Sequence, residues 1–176
     1  MARLSGVRGK KSRKKIFKTP NELLQAAQEL NLGQDDFDLV DSETAKSVIP
    51  KIFANFTTTE NLNVAWIWEY LNRRGTGLQT GYALEIIQPL FKLEDQVWLL
   101  TEDHAGEKEK GNFWLFKGKY GAVIETLLNH WGLEYYIFDL HLNWMIFENH
   151  HECLRAIGEP AETLLKARLA ELDLPD

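Results

Sequence analysis

The chain has 176 residues, of which 44% are hydrophobic and 26% are charged, and it includes six Trp and nine Phe. This composition is typical of globular proteins and excludes a fibrous or wholly disordered chain. A membrane span needs about 18 uncharged apolar residues, and a secretory signal needs an apolar N-terminal segment. Neither pattern is found, and the single cysteine, Cys153, excludes an internal disulfide. We therefore predict a cytoplasmic protein that does not bind membranes.

Charge is distributed unevenly along the sequence. Residues 1–18 hold eight of the 20 Lys and Arg residues and no acid, so 12 basic residues remain against all 26 acidic ones and 19–176 has a formal charge of −14. A run of like charges with few apolar residues cannot offset its ordering entropy. We predict a disordered basic tail at 1–18 and a single α+β domain at 19–176. The tail residues predicted to bind nucleic acid or another acidic partner are Arg8, Lys10, Lys11, Arg13, Lys14 and Lys15.

The first half of 19–176 is predicted to be mainly helical. A capping box at 19–22 begins a helix over 20–31, and a second apolar stripe runs from Ala45 to Phe56 with Asp41 or Ser42 as its N-cap. Pro50 within that stripe predicts a kink or a later start. Residues 62–71 fit both the helical and the strand period, and the cations and glycine that follow favour a helix. A loop over 75–81 and a short helix over 83–91 complete this half.

The second half alternates strands and helices. Short apolar, aromatic-rich runs predict strands at 97–100, 113–116, 135–138 and 144–147. An apolar stripe predicts a helix over 120–131, and a last helical region is predicted from about 149 to 172. The predicted fold class is therefore α+β. N-terminal helices precede a largely antiparallel sheet of about four strands, arranged as hairpin, helix and hairpin. C-terminal helices follow the sheet. All of the helices are predicted to cover one face of the sheet.

Two polar clusters follow predicted strands and are the candidate sites. Glu148, His150 and His151 belong to the segment 148–153, whose side-chain types could bind zinc. Adjacent histidines lie on different sides of a helix, however, so the spacing does not fit a helical metal site. The simpler interpretation is that Asn149 caps a helix. No metal and no cofactor are predicted.

The second cluster is Glu102, Asp103 and His104, which would meet the first if the two hairpins lay side by side. Together the clusters could support acid–base or metal-assisted hydrolysis. The alternative is a solvated, charged hairpin loop. The sequence contains no phosphate-binding GxxxxGK[ST] loop, no GxGxxG, no GxSxG elbow and no CxxC pair, so the common nucleotide-binding and hydrolase motifs are missing.

One stretch carries a resemblance to known proteins. The runs 97–99, 111–116, 134–137 and 144–151, the last reading Trp-Met-Ile-Phe-Glu-Asn-His-His, resemble a family of small uncharacterised bacterial proteins. More loosely, they resemble the small α+β immunity proteins of bacterial toxin systems. The resemblance implies an α+β fold and a bacterial origin, and it implies no activity for any residue.

The leading prediction is a non-enzymatic protein-binding module, immunity- or antitoxin-like, whose acidic body recognises a protein partner. Complementary charge would chiefly direct and accelerate the encounter. A nucleic-acid-associated protein tethered through 1–18 is the first alternative. A hydrolase, metal-dependent or acid–base, that uses the two clusters is the second.

Overall fold

The computed structural model describes residues 18–103, 106, 111–130 and 133–175. The six tail residues predicted to bind an acidic partner lie outside this part of the chain, and so does His104. The predictions that depend on them stay predictions. None of the helices in the described ranges is long and apolar enough to cross a membrane.

Five α-helices and one 3₁₀ turn are present in the described part. The helices predicted at 20–31, 83–91 and 120–131 are confirmed with shifted ends. The helix predicted around Ala45 to Phe56 begins at Ser42, with Asp41 as its N-cap. It continues through Pro50, so the later start predicted there is wrong. The helices are α1 Lys18–Glu29, α2 Ser42–Phe56, α3 Ala83–Ile87, α4 Tyr120–Leu128 and α5 Ala161–Glu171, and the 3₁₀ turn is Ile67–Tyr70.

In the part of the chain that the structure describes, seven strands form one antiparallel sheet in the order β1-β4-β3-β5-β6-β7-β2. The α+β class is confirmed, and the four predicted strands lie next to one another at the centre of the sheet. Because β3 pairs with β5, the two predicted hairpins do lie side by side. The strands are β1 Phe37–Leu39, β2 Thr76–Gln79, β3 Gln96–Glu102, β4 Phe113–Lys119, β5 Tyr135–Asp139, β6 Met145–Glu148 and β7 Cys153–Ile157.

The prediction of about four strands is wrong, because β1, β2 and β7 flank the central four. The predicted loop at 75–81 contains β2, and the helical region predicted from 149 contains β7 before α5 begins. Residues 62–71 form only the short 3₁₀ turn, so the helix favoured there is wrong as well. β2 forms because it pairs with β7, and β7 forms because it pairs with β6.

Helices cover both faces of the sheet, which corrects the prediction of a single covered face. One core, on the side of α1, α3, α4 and α5, includes Leu99 and Ile137. The other, on the side of α2 and the 3₁₀ turn, includes Leu100 and Phe138. Successive strand residues point to opposite faces, so adjacent apolar residues supply both cores. This is why the central strands read as continuous apolar runs.

The turn into β2 requires glycine at residue 75. Gly75 has a φ of 67°, and a Cβ added there would lie 2.2 Å from the carbonyl oxygen of Ala156 on β7. We expect Gly75→Ala to lower the free energy of unfolding by about 2 kcal/mol, because it combines backbone strain with a backbone clash. Urea unfolding would measure the loss. Gly81→Ala is the control, because a Cβ at Gly81 would meet nothing within 4 Å, and an equal loss in both variants would contradict the argument.

Candidate functional site

Two buried carboxyl groups meet at the end of the central strand pair. The antiparallel register of β3 and β5 places Thr101 opposite Tyr135, so the next residues, Glu102 and Glu134, also lie opposite each other. Both side chains point to the α2 face, and their exposures are only 6% and 3%. Two carboxylates cannot both be charged at such close range without a large cost.

Burial, followed by the negative charge of Glu134 and a hydrogen bond with it, raises the pKa of Glu102 to about 9. The protonated form of Glu102 is therefore favoured at neutral pH. Burial also raises the pKa of the Tyr136 hydroxyl, which lies beside Glu102. The group at the end of β3 is thus a neutral acid that can donate a hydrogen bond.

Glu134 connects this pair to the turn between β6 and β7. Its Oε1 accepts a hydrogen bond of 3.0 Å from the backbone N–H of His150 and also contacts Nδ1 of that histidine. Asn149 Oδ1 accepts hydrogen bonds from the backbone N–H groups of His151, at 3.0 Å, and Cys153, at 3.1 Å. Asn149 therefore caps a tight turn between strands, and the helix cap predicted there is wrong.

Four aromatic rings form a continuous wall above the carboxyl pair, which we call the ring wall: Trp66, Trp68, His150 and His151. The centroid of His150 lies 5.5 Å from Trp66, 5.8 Å from Trp68 and 4.0 Å from His151. Trp66 is 42% exposed. The aromatic sequence 66–68 favours core residues over an exposed stacking platform, but the structure places Trp66 at the surface.

A cavity of about 690 Å³ opens on one side of the ring wall, and we call it the acidic groove. Trp66 and His150 form one wall, and apolar residues of α3 and α4 form the other. Among the described residues, four glutamates line it: Glu85, Glu134, Glu148 and Glu152. The other ionisable side chains of this described lining are His130, His150 and Tyr135.

The acidic groove holds uncompensated negative charge. Burial raises the pKa of Glu148 most, a hydrogen bond with the Tyr135 hydroxyl lowers it, and the charges of Glu152 and Glu85 raise it again. The Tyr135 hydroxyl, which lines the same cavity, is buried beside Glu148. A cationic group in the groove would therefore relieve repulsion and supply polar contacts.

The structure brings together only some of the residues predicted as a site. Glu102 and His150 are linked through Glu134, and the ring of His151 contacts that of His150 at an interplanar angle of 47°. Glu148 lies on the opposite face of the sheet, in the acidic groove. Asp103 accepts a hydrogen bond of 3.2 Å from Nε1 of Trp114. Among the described residues, no three His, Cys, Asp or Glu side chains are grouped so that they could hold a metal ion.

Sequence reasoning missed Glu134 and Glu85, whereas Glu152 belongs to the segment 148–153 that it singled out. Glu134 gives no local signal, because a single acid before an apolar strand is common. Its role arises from the β3–β5 register, which places it opposite Glu102. Glu102, Glu134 and His150 therefore form a group of neighbouring polar side chains, whereas the acidic groove can hold a cation.

Comparison with known proteins matches most of this chain to one protein family. Residues 18–168 match the model of a family of unknown function, DUF6756. The chain belongs to this family. The match is much longer than the resemblance noted at 97–151, and the DUF6756 region contains the carboxyl pair, the ring wall and the acidic groove. No curated protein and no solved structure shows significant similarity to the chain.

Proposed function

We propose that this protein is a protein-binding module whose acidic groove receives basic side chains of a partner protein. The observation that carries the proposal is the groove itself, a cavity of about 690 Å³ with four glutamates and an exposed tryptophan at its wall. A Lys or Arg side chain matches such a cavity, since its stem packs on apolar surface while its charged end pairs with carboxylates.

Charge supports a basic partner. The segment 19–176 has a formal charge of −14, so a basic protein is attracted from a distance before it makes contact. The carboxylates of Glu85 and Glu152 belong to exposed residues, and Glu148 lies deeper between them and the sheet. The exposed carboxylates at the rim therefore attract a cationic side chain, and the buried part of the groove determines which side-chain shape fits.

Exposed aromatic residues next to the groove support a protein partner. Trp66 is 42% exposed and Tyr82 is 70% exposed, and Tyr82 lies between two residues that line the groove, Gly81 and Ala83. Tyrosine and tryptophan are enriched among the residues that dominate the binding energy of protein interfaces. An immunity- or antitoxin-like role is the specific form that we propose, on the resemblance at 97–151. A basic toxin would then be the partner.

The test is a comparative affinity capture from native lysate at low salt. The bait variant is Glu85→Gln/Glu152→Gln, which removes two charges from the rim and keeps the side-chain shape. We expect at least one basic protein, captured in stoichiometric amount by the unmodified chain, to bind the variant about tenfold less, because two charge-assisted contacts are weakened.

The control is Glu43→Gln/Glu60→Gln, which removes the same charge from exposed residues outside the groove. If both double variants lost the partner equally, long-range charge alone would explain the binding. Capture of no partner, or of one that both variants retain, would contradict the proposal. The alternative of nucleic-acid binding through 1–18 concerns residues outside the described part and stays a prediction.

A further inference from the structure

A second cavity, of about 540 Å³, lies on the other side of the ring wall, on the α2 face of the sheet. We call it the arginine pocket. The guanidinium-bearing residues Arg73, Arg74 and Arg155 line it, together with His151 and Trp68 of the ring wall. Glu69 is the only carboxylate among its lining residues. Its charge is thus opposite to that of the acidic groove.

The concentration of arginine in this pocket is unusual for so acidic a segment. Residues 19–176 contain four arginines in total, and three of them line this one cavity. The fourth, Arg168, pairs with Glu171 at 3.2 Å. Within the described ranges, none of the three pocket arginines forms an ion pair, although the segment has 26 acidic residues available. Three cationic side chains that line one cavity without a counter-ion favour an anion there.

The backbone holds these arginines in place. Arg155 is on β7 and donates a hydrogen bond of 3.3 Å from Nη1 to the carbonyl oxygen of Arg74. Gly77 lies opposite Arg155 on β2, and a Cβ there would lie 2.9 Å from Cγ of Arg155. The missing side chain leaves room for the arginine to lie across the edge strand. The tight turn at Gly75 brings Arg74 against β7.

We propose that the arginine pocket binds the phosphoryl group of a small phosphorylated molecule. Guanidinium groups pair with phosphate through two parallel hydrogen bonds, and a doubly charged anion matches several cations better than a single carboxylate does. The volume suits a small organic ligand. Trp68 and Phe147 supply apolar surface for the rest of that ligand. The site is separate from the acidic groove and does not depend on the function proposed for it.

The test is calorimetric titration of the full chain with AMP, glucose 6-phosphate, adenosine and tri-glutamate. We expect saturable binding of at least one of the two phosphates and no binding of adenosine. Binding of both phosphates would mean that the phosphoryl group alone is recognised, whereas binding of AMP alone would mean that the base also packs on Trp68. Either result supports the proposal.

Variants separate the pocket from the basic tail, which can also attract phosphate. Arg74→Gln/Arg155→Gln should weaken binding at least about tenfold, since it removes two charged donors. Glu69→Gln should strengthen binding about threefold, because it removes the one opposing charge. Arg168→Gln is the matched control and should leave affinity unchanged.

Three results would overturn the proposal. The first is no saturable phosphate binding at millimolar concentration. The second is equal affinity of the double arginine variant and the unmodified chain, which would assign the binding to another part of the protein. The third is arginine-dependent binding of tri-glutamate without binding of either phosphate, which would make the pocket a carboxylate site.

Discussion

Replacing Glu102 by glutamine is expected to make the protein more stable than the unmodified chain at alkaline pH. Burial and the neighbouring Glu134 raise the pKa of Glu102 from an ordinary value of 4.5 to about 9. Between these values the folded state keeps a proton that the unfolded state has released. The stability linked to this proton is fully present below pH 4.5 and is lost as the pH rises towards 9. Glutamine is neutral throughout and can still donate a hydrogen bond to Glu134.

The free energy of unfolding of the unmodified chain should therefore fall, relative to that of Glu102→Gln, by at most about 1.4 kcal/mol per pH unit in this window. Urea unfolding of both proteins between about pH 5 and pH 8 would measure the difference. Glu60→Gln, which changes an exposed carboxylate, is the matched control and should follow the unmodified chain. Parallel pH profiles for Glu102→Gln and the unmodified chain would mean that folding does not raise the pKa of Glu102.

Truncation of Phe138 to alanine is expected to have the largest effect on stability at neutral pH. Phe138 is on β5 at the centre of the sheet, is fully buried, and packs on Phe56 of α2 with ring centroids 5.4 Å apart. Removing a buried phenyl ring costs its transfer free energy and leaves a cavity, which together amount to about 3–5 kcal/mol. That is a large part of the stability of a typical domain.

Urea unfolding at pH 7 would measure this loss. The control is Leu93→Ala, because Leu93 is 56% exposed and should lose less than about 1 kcal/mol. If Phe138→Ala lost no more than the control, α2 would not form a core with the sheet. A decreased denaturant slope in Phe138→Ala alone would instead indicate that α2 detaches separately.

The central strands could be predicted because burial on both faces leaves a signal in the sequence. The runs at 97–100, 113–116, 135–138 and 144–147 are apolar at successive positions, as strands between two cores must be. The flanking strands lack such runs. β2 reads Thr-Gly-Leu-Gln, and β7 follows the polar segment 148–152. β2 is a strand because it pairs with β7, which is distant in sequence, and no local pattern reports that contact. β7 forms a short hairpin with β6 around the turn capped by Asn149.

The candidate site was predictable only in part, for the same reason. Glu102 and His150 could be singled out because each follows an apolar strand. Their connection passes through Glu134, whose position depends on the register of β3 and β5. The arginine pocket has a similar origin. Arg73 and Arg74 favour a helix end by local rules, whereas the structure places them beside Arg155, about 80 residues further along the chain.

The two outermost strands of the sheet restrict how this protein can associate with others. β1 has three residues and β2 has four, so each edge of the sheet offers few backbone hydrogen-bonding groups to an incoming chain. Short edge strands protect a protein from edge-to-edge pairing with other sheets, which leads to fibres. They also give a peptide little to pair with as an added strand. Recognition therefore has to be achieved by side chains, and specificity can change by single substitutions without disturbing the sheet.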